Sequence, residues 1–212
     1  MAIGPFSTDM YLPAFLAIAR GLKTDIAHVG LSLTSFFVGV SIGQIVYGPL
    51  LDRYGRKKPL MLGFLAYTAA SVGCAFSPTI PVFVAMRFLA GVGACVGIVG
   101  SRAVVRDLFS GTEMALLLSL LMMVFGIAPI VAPTIGSLVV SVSGWQYIFV
   151  VLAAIGFLVF LAMGRFLHET KGRDASISLH PKDVMLEYID VFRNRVFLTY
   201  GLVTAAATAG FF

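Results

Sequence analysis

Charged side chains cut this chain into apolar runs far longer than a strand or an ordinary buried helix requires. Val29 to Leu51 holds 23 residues without a charge, Pro59 to Met86 holds 28, and Met114 to Gly164 holds 51. A bilayer core about 30 Å thick is crossed by roughly 20 apolar residues in an α-helix, so the first run predicts one span and the last must hold two. Pro78 and Pro81 break the middle run at a tight turn, and Ser141 to Gly144 marks the break that the longest run needs. The pattern therefore predicts an all-α, polytopic transmembrane bundle. Span one falls within Met1 to Ala19, span two over Val29 to Leu51, span three over Leu60 to Ser77 and span four over Val82 to Ser101. Span five starts near Met114 and span six covers Trp145 to Met163. Met1 to Ala19 lacks the basic leader of a signal peptide and carries Asp9 between Pro5 and Pro13, so it reads as a membrane segment that begins part-way.

Three units follow from this pattern: a membrane bundle over 1–168, a linker over 169–195, and the start of a seventh span over 196–212. Within the linker, Pro181, Met185, Tyr188, Ile189 and Phe192 recur at helical spacing, with Lys182, Asp183, Glu187 and Asp190 elsewhere around the axis. That pattern predicts an amphipathic helix lying along the membrane surface. Lys and Arg concentrate on alternate connections: those after spans two, four and six carry 12, and those after spans one, three and five carry 2. Basic loops stay in the cytoplasm, which places the connections after spans two, four and six, and the linker, on that side.

Composition agrees. The chain of 212 residues is 59% hydrophobic and 12% charged, half the charged share of a soluble domain, and its mean hydropathy is +0.97. The net charge of +5 lies between the apolar runs as an orientation signal rather than as a nucleic-acid patch. Cys74 and Cys95 sit inside apolar runs as small packing residues. No hydrolase triad, phosphate loop, metal-ligand spacing or cofactor motif is present in the sequence, so an enzymatic reading has no support.

Charges at membrane depth are costly, at least about 2.5 kcal/mol on insertion scales, and mark function. Asp9 lies 11 residues before Arg20, roughly 16 Å along a helix, which places it near the midplane. Arg87 follows Pro81 by six residues, roughly 9 Å from the outer face, and its side chain can reach further in. The expectation is that Asp9 is the proton-coupling group, with Arg87 as its electrostatic neighbour. Tyr11, Gln44 and Tyr47 are candidate substrate contacts or interhelical hydrogen-bonding groups. The pairs Gly39/Gly43 and Gly93/Gly97 predict close helix packing. After span two, Gly48, Asp52, Arg53, Gly55 and Arg56 combine a packing glycine, a turn glycine and an i, i+4 carboxylate–guanidinium pair.

This last stretch, Gly48-Pro49-Leu50-Leu51-Asp52-Arg53-Tyr54-Gly55-Arg56-Lys57-Lys58, resembles the loop between spans two and three of the major facilitator superfamily. Thr8 to Pro13 and Gly43 to Pro49 are similar to the Bcr/CflA-type drug efflux transporters within it. Arg87 to Ala94 resembles the Arg-plus-glycine motif of span four. Ala128 to Ser137, with Pro129, Pro133 and Gly136, resembles the antiporter motif of span five, although two of its usual glycines are replaced. Gly144 to Phe149 resembles the start of span six, with Gln146 where Arg is common.

The resemblance implies the N-terminal six-helix half of a twelve-span fold in the bacterial inner membrane, exchanging protons for drug-like small molecules. Its partner would be the missing C-terminal half or a second copy, with the lipid bilayer around both and no nucleic acid involved. It also implies that Asp52, Arg56 and Asp107 form a charge cluster bracing the outward-open state. A facilitative or symport permease would use the same gate, and a non-transporting membrane fragment is the reading from another class.

Overall fold

The computed structural model describes residues 1–209, with backbone alone at Pro181 and at 207–209. The final residues of the expected seventh run, 210–212, lie outside the described residues. Two compact units divide at 174/175, so residues 169–174, assigned to the linker by the sequence pattern, pack with the first unit.

The first span is interrupted. α1 (Ile3–Asp9) ends at Asp9, a 3-10 turn occupies Leu12–Ala14, and α2 (Phe15–Gly21) completes the crossing. Pro13 accounts for the interruption, because it has no N–H to donate and its ring clashes with the preceding turn. The remaining helices are α3 (Ile26–Tyr54), α4 (Lys57–Ala75), α5 (Ile80–Leu108), α6 (Gly111–Ser143) and α7 (Gln146–Phe166). Spans two, four and five are thus longer than their apolar runs. The connection expected over Arg102 to Glu113 shrinks to Phe109 and Ser110, since polar helix ends can protrude beyond the hydrocarbon. Among the described residues, α3, α5, α6 and α7 are each long and apolar enough to cross a membrane unaided. α4 begins at Lys57-Lys58-Pro59 and is rich in Ala, Gly, Ser and Thr, and it packs instead against both α5 and α7.

Glycine sets the helix spacing. A side chain at Gly39 would meet the Phe88 carbonyl, one at Gly91 would meet the Phe36 carbonyl, and one at Gly43 would meet Cys95 Sγ, so α3 and α5 touch backbone to backbone. Gly93 does the same for α5 against α4, where a Cβ would lie 2.6 Å from the Tyr67 nitrogen. α6 touches the bundle along the narrow stripe Ala128, Ala132 and Gly136, at i, i+4 and i+8. The rest of its surface presents exposed apolar groups such as Leu116, Met123, Ile130 and Val142.

At the end away from the basic loops, Phe83, Trp145 and Phe149 pack edge to face, with ring centroids 5.3 to 6.2 Å apart. The Trp145 indole Nε1 also fills the space beside Gly21, joining the end of α2 to the start of α7.

The second unit holds α8 (Pro181–Arg193) and α9 (Arg195–Ala209). Ser178 donates to Asp183 Oδ2 at 2.6 Å and accepts from the His180 N–H, closing the start of α8. Asn194 Oδ1 accepts from the Val196 and Phe197 N–H groups and caps α9. Met185, Leu186, Ile189 and Phe192 are exposed along α8.

Candidate functional site

Arg56 sits where the α3–α4 turn meets the ends of α5 and α7. Gly55 makes the turn possible, with a φ of +83° that favours glycine. Arg56 Nη1 donates to Asp52 Oδ1 at 2.9 Å, one helical turn back. Its Nε and Nη2 donate to the two Asp107 oxygens at 2.7 and 3.3 Å, a forked pairing that only arginine can make. The side chain is 4% exposed, against 17% for Asp107 and 43% for Asp52. Burial acts to lower the Arg56 pKa, but the hydrogen bonds and charges of Asp107 and Asp52 outweigh it and hold the pKa above the usual arginine value.

Residues after α7 close over this cluster. Lys171 Nζ reaches Asp52 Oδ1 at 2.9 Å, and Thr170 donates to Asp107 Oδ2 at 3.2 Å. Glu169 accepts from the Arg56 and Lys57 N–H groups at the start of α4, where unpaired amides and the helix dipole favour an anion. Lys57 Nζ donates to the Gly164 carbonyl at 3.1 Å. Sequence reasoning singled out neither Glu169 nor Lys171. The available signal was a lone acid in the basic stretch Arg165 to Arg173. Arg53 lies elsewhere, with its guanidinium 5.8 Å from the Tyr54 ring centroid.

Arg87 is 1% exposed and enclosed by aromatic rings, 4.5 Å from the Tyr11 and Phe36 centroids and 5.8 Å from that of Phe149. Its Nε and Nη2 reach no hydrogen-bond acceptor among the described residues. Cation–π attraction to desolvated rings is worth roughly 2 kcal/mol, less than the cost of burying a guanidinium. Tyr11 is fixed in turn, its hydroxyl bonded to Ser32 at 2.6 Å and donating to the Val29 carbonyl at 3.0 Å.

The expected Asp9–Arg87 pair does not form: among the described residues no ion pair joins them. The reason is helical geometry. Asp9 and Tyr11 are two residues apart, so they point to opposite sides of their segment. Tyr11 takes the side facing Arg87, leaving Asp9 half-buried on the other. Against the break between them lies Gly136 of α6, where a Cβ would meet the Met10 carbonyl. Pro133 and Pro129 stand one and two turns before that glycine, inside the same helix.

Gln44 and Tyr47 also part company. Gln44, Gly48, Asp52 and Arg56 line a cavity of about 490 Å³ together with Arg102 and Arg106 of α5, and with Met114 and Met122 of α6 behind them. Tyr47 instead lines a separate groove of about 360 Å³ between α3 and α4. The five candidate substrate residues therefore occupy four places rather than one: Arg87 with Tyr11, and Asp9, Gln44 and Tyr47 each apart.

The Major Facilitator Superfamily model matches residues 1–212. An uncharacterised MFS-type transporter, YdgK, of Bacillus subtilis strain 168 is 40% identical over 212 residues, covering 99% of this chain and 53% of the relative. A bicyclomycin resistance protein homolog of Haemophilus influenzae is 32% identical over 208 residues, covering 98% and 52%. The solved peptide transporter POT in complex with sulfate aligns over 100% of this chain and 46% of its own, with a TM-score of 0.63 at 19% identity. The chain thus spans about half the length of the curated relatives it matches.

Proposed function

Because this chain belongs to the Major Facilitator Superfamily and is similar to a bicyclomycin resistance protein homolog, we propose that it forms the N-terminal half of a proton-coupled exporter of drug-like small molecules. Its place is a bacterial-type inner membrane, with the basic loops in the cytoplasm, as the distribution of Lys and Arg supports. A second six-helix bundle completes the translocation path, and the two rock against each other around a central site. The exposed apolar circumference of α6 supplies a face for it.

The observation that carries the reading is Asp9. It is the one acid inside the apolar spans, it is half-buried, and it stands at a break in its helix. A carboxylate there binds a proton or a cationic substrate in competition, so a proton entering from the more acidic outside displaces substrate outward. The Arg56 cluster is the device that holds the cytoplasmic end closed: it ties α3 to α5, and from beyond α7 Lys171 joins it to α3 and Thr170 to α5.

Proton release on drug addition, measured in weakly buffered detergent solution with the complete transporter, tests this. Asp9→Asn should bind drug and release no protons. Release equal to that of the parent would place the coupling group elsewhere.

A further inference from the structure

α3 and α4 each pack extensively on α5 and only sparsely on each other. The groove left between them is walled by Val46, Leu50, Tyr54, Pro59 and Leu62, with Val92 of α5 behind. From Tyr54 to Val46 is eight residues, about 12 Å along the helix at 1.5 Å per residue. The groove therefore opens at the basic end and is confined to one leaflet of a hydrocarbon core about 30 Å thick.

Its mouth is cationic. Lys58 stands there exposed, and its ammonium makes no hydrogen bond or ion pair among the described residues. The Tyr54 ring, part of the wall, carries the Arg53 guanidinium at 5.8 Å and that of Arg173 at 5.4 Å. Of the nearby acids, Asp52 is engaged by Arg56 and Lys171 and Glu169 by the first amides of α4, while Asp174, whose N–H donates to the Arg53 carbonyl at 3.1 Å, sets one carboxylate beside the three cations. Apolar walls under a mouth with three cations and one carboxylate, net positive, complement a molecule with a hydrocarbon tail and a net anionic head.

We propose that this groove seats one acyl chain of an anionic phospholipid from the leaflet at the basic end, with its phosphate held at Lys58 beside Arg53 and Arg173. A zwitterionic lipid brings its own ammonium to the same mouth and is disfavoured there. Free phosphate can use the cations but not the walls. Neither the direction of transport nor its substrate bears on this seat.

Native mass spectrometry of the purified protein in mild detergent tests it, with three probes: phosphatidylglycerol, phosphatidylethanolamine of the same acyl chains, and inorganic phosphate. One phosphatidylglycerol should be retained in preference to the ethanolamine lipid, and phosphate should not displace it. Lys58→Glu should lower retention about fivefold or more, as loss of a cation at a membrane surface does. Leu62→Trp should fill the groove and do the same. Leu62 is 66% exposed, so the fold does not depend on it. Leu65→Trp, on the same helix outside the groove, should leave retention unchanged. Undiminished retention in both groove variants, equal retention of the two lipids, or displacement by phosphate would each overturn the proposal.

Discussion

The carbonyl oxygen of Met10 occupies the place that a side chain at position 136 would need, so α6 can cross the break in the first span only as glycine. Gly136→Val should force the two apart and cost about 1–3 kcal/mol, the usual penalty of overpacking. Gly126→Val, on the same helix with open space around it, is the control. Thermal unfolding in detergent should show a lower midpoint for the first and little change for the second; equal midpoints would show that the crossing yields freely.

The two carboxylates on Arg56 are unequal partners. Asp107 takes two of the guanidinium's three hydrogen bonds and is far less exposed than Asp52. Asp107→Ala leaves a buried guanidinium largely uncompensated, a loss of about 3 kcal/mol, and Asp52→Ala should cost less. The ranking of the two unfolding midpoints checks this, and its reversal would mean that Lys171 makes Asp52 the principal anchor.

Arg87 should be expendable for stability and not for work. A buried ion without an acceptor is often replaced by an apolar side chain at no loss, or with a gain of about 1–4 kcal/mol. Arg87→Met is therefore expected to unfold at an equal or higher temperature while abolishing, in the complete transporter, the efflux proposed above. Arg87→Lys keeps the charge but not the planar face that stacks on Tyr11 and Phe36, and should fall between. Retained efflux in Arg87→Met would reduce the residue to packing.

Gly55 faces two constraints: a φ of +83° and the Glu169 carboxylate, whose carbon would lie 2.7 Å from an added Cβ. Gly55→Ala should cost about 1–2 kcal/mol for the backbone alone. Combining it with Glu169→Ala removes the crowding but not the strain, so the double variant should lose less than the two single losses added together. Strict additivity in a double-mutant cycle would mean that Glu169 swings aside unaided.

Much of this arrangement was legible in the sequence, because helical periods and breakers act locally. Pro13, Gly55 and Gly144 marked interruptions where the structure has them, and Asp52 with Arg56 could be paired from their spacing alone. Asp107 entered only through the family resemblance. Glu169 and Lys171 were hidden, since their partners lie more than 100 residues earlier and no local pattern announces a contact made by tertiary packing. Gln44 and Tyr47 show the same limit on one helix: they are three residues apart, yet the neighbours of α3 differ on its two sides. Periodicity identifies a face without saying what it meets.

Trp145 is the single tryptophan of the chain, and it is buried where α2 ends against α7. Indole emission depends on local polarity and on nearby quenching groups, so the protein carries its own optical reporter at that seam. If the interrupted first segment shifts against α7 during a working cycle, the unlabelled protein will signal it as a change in colour or intensity, and stopped-flow fluorescence can time the step directly.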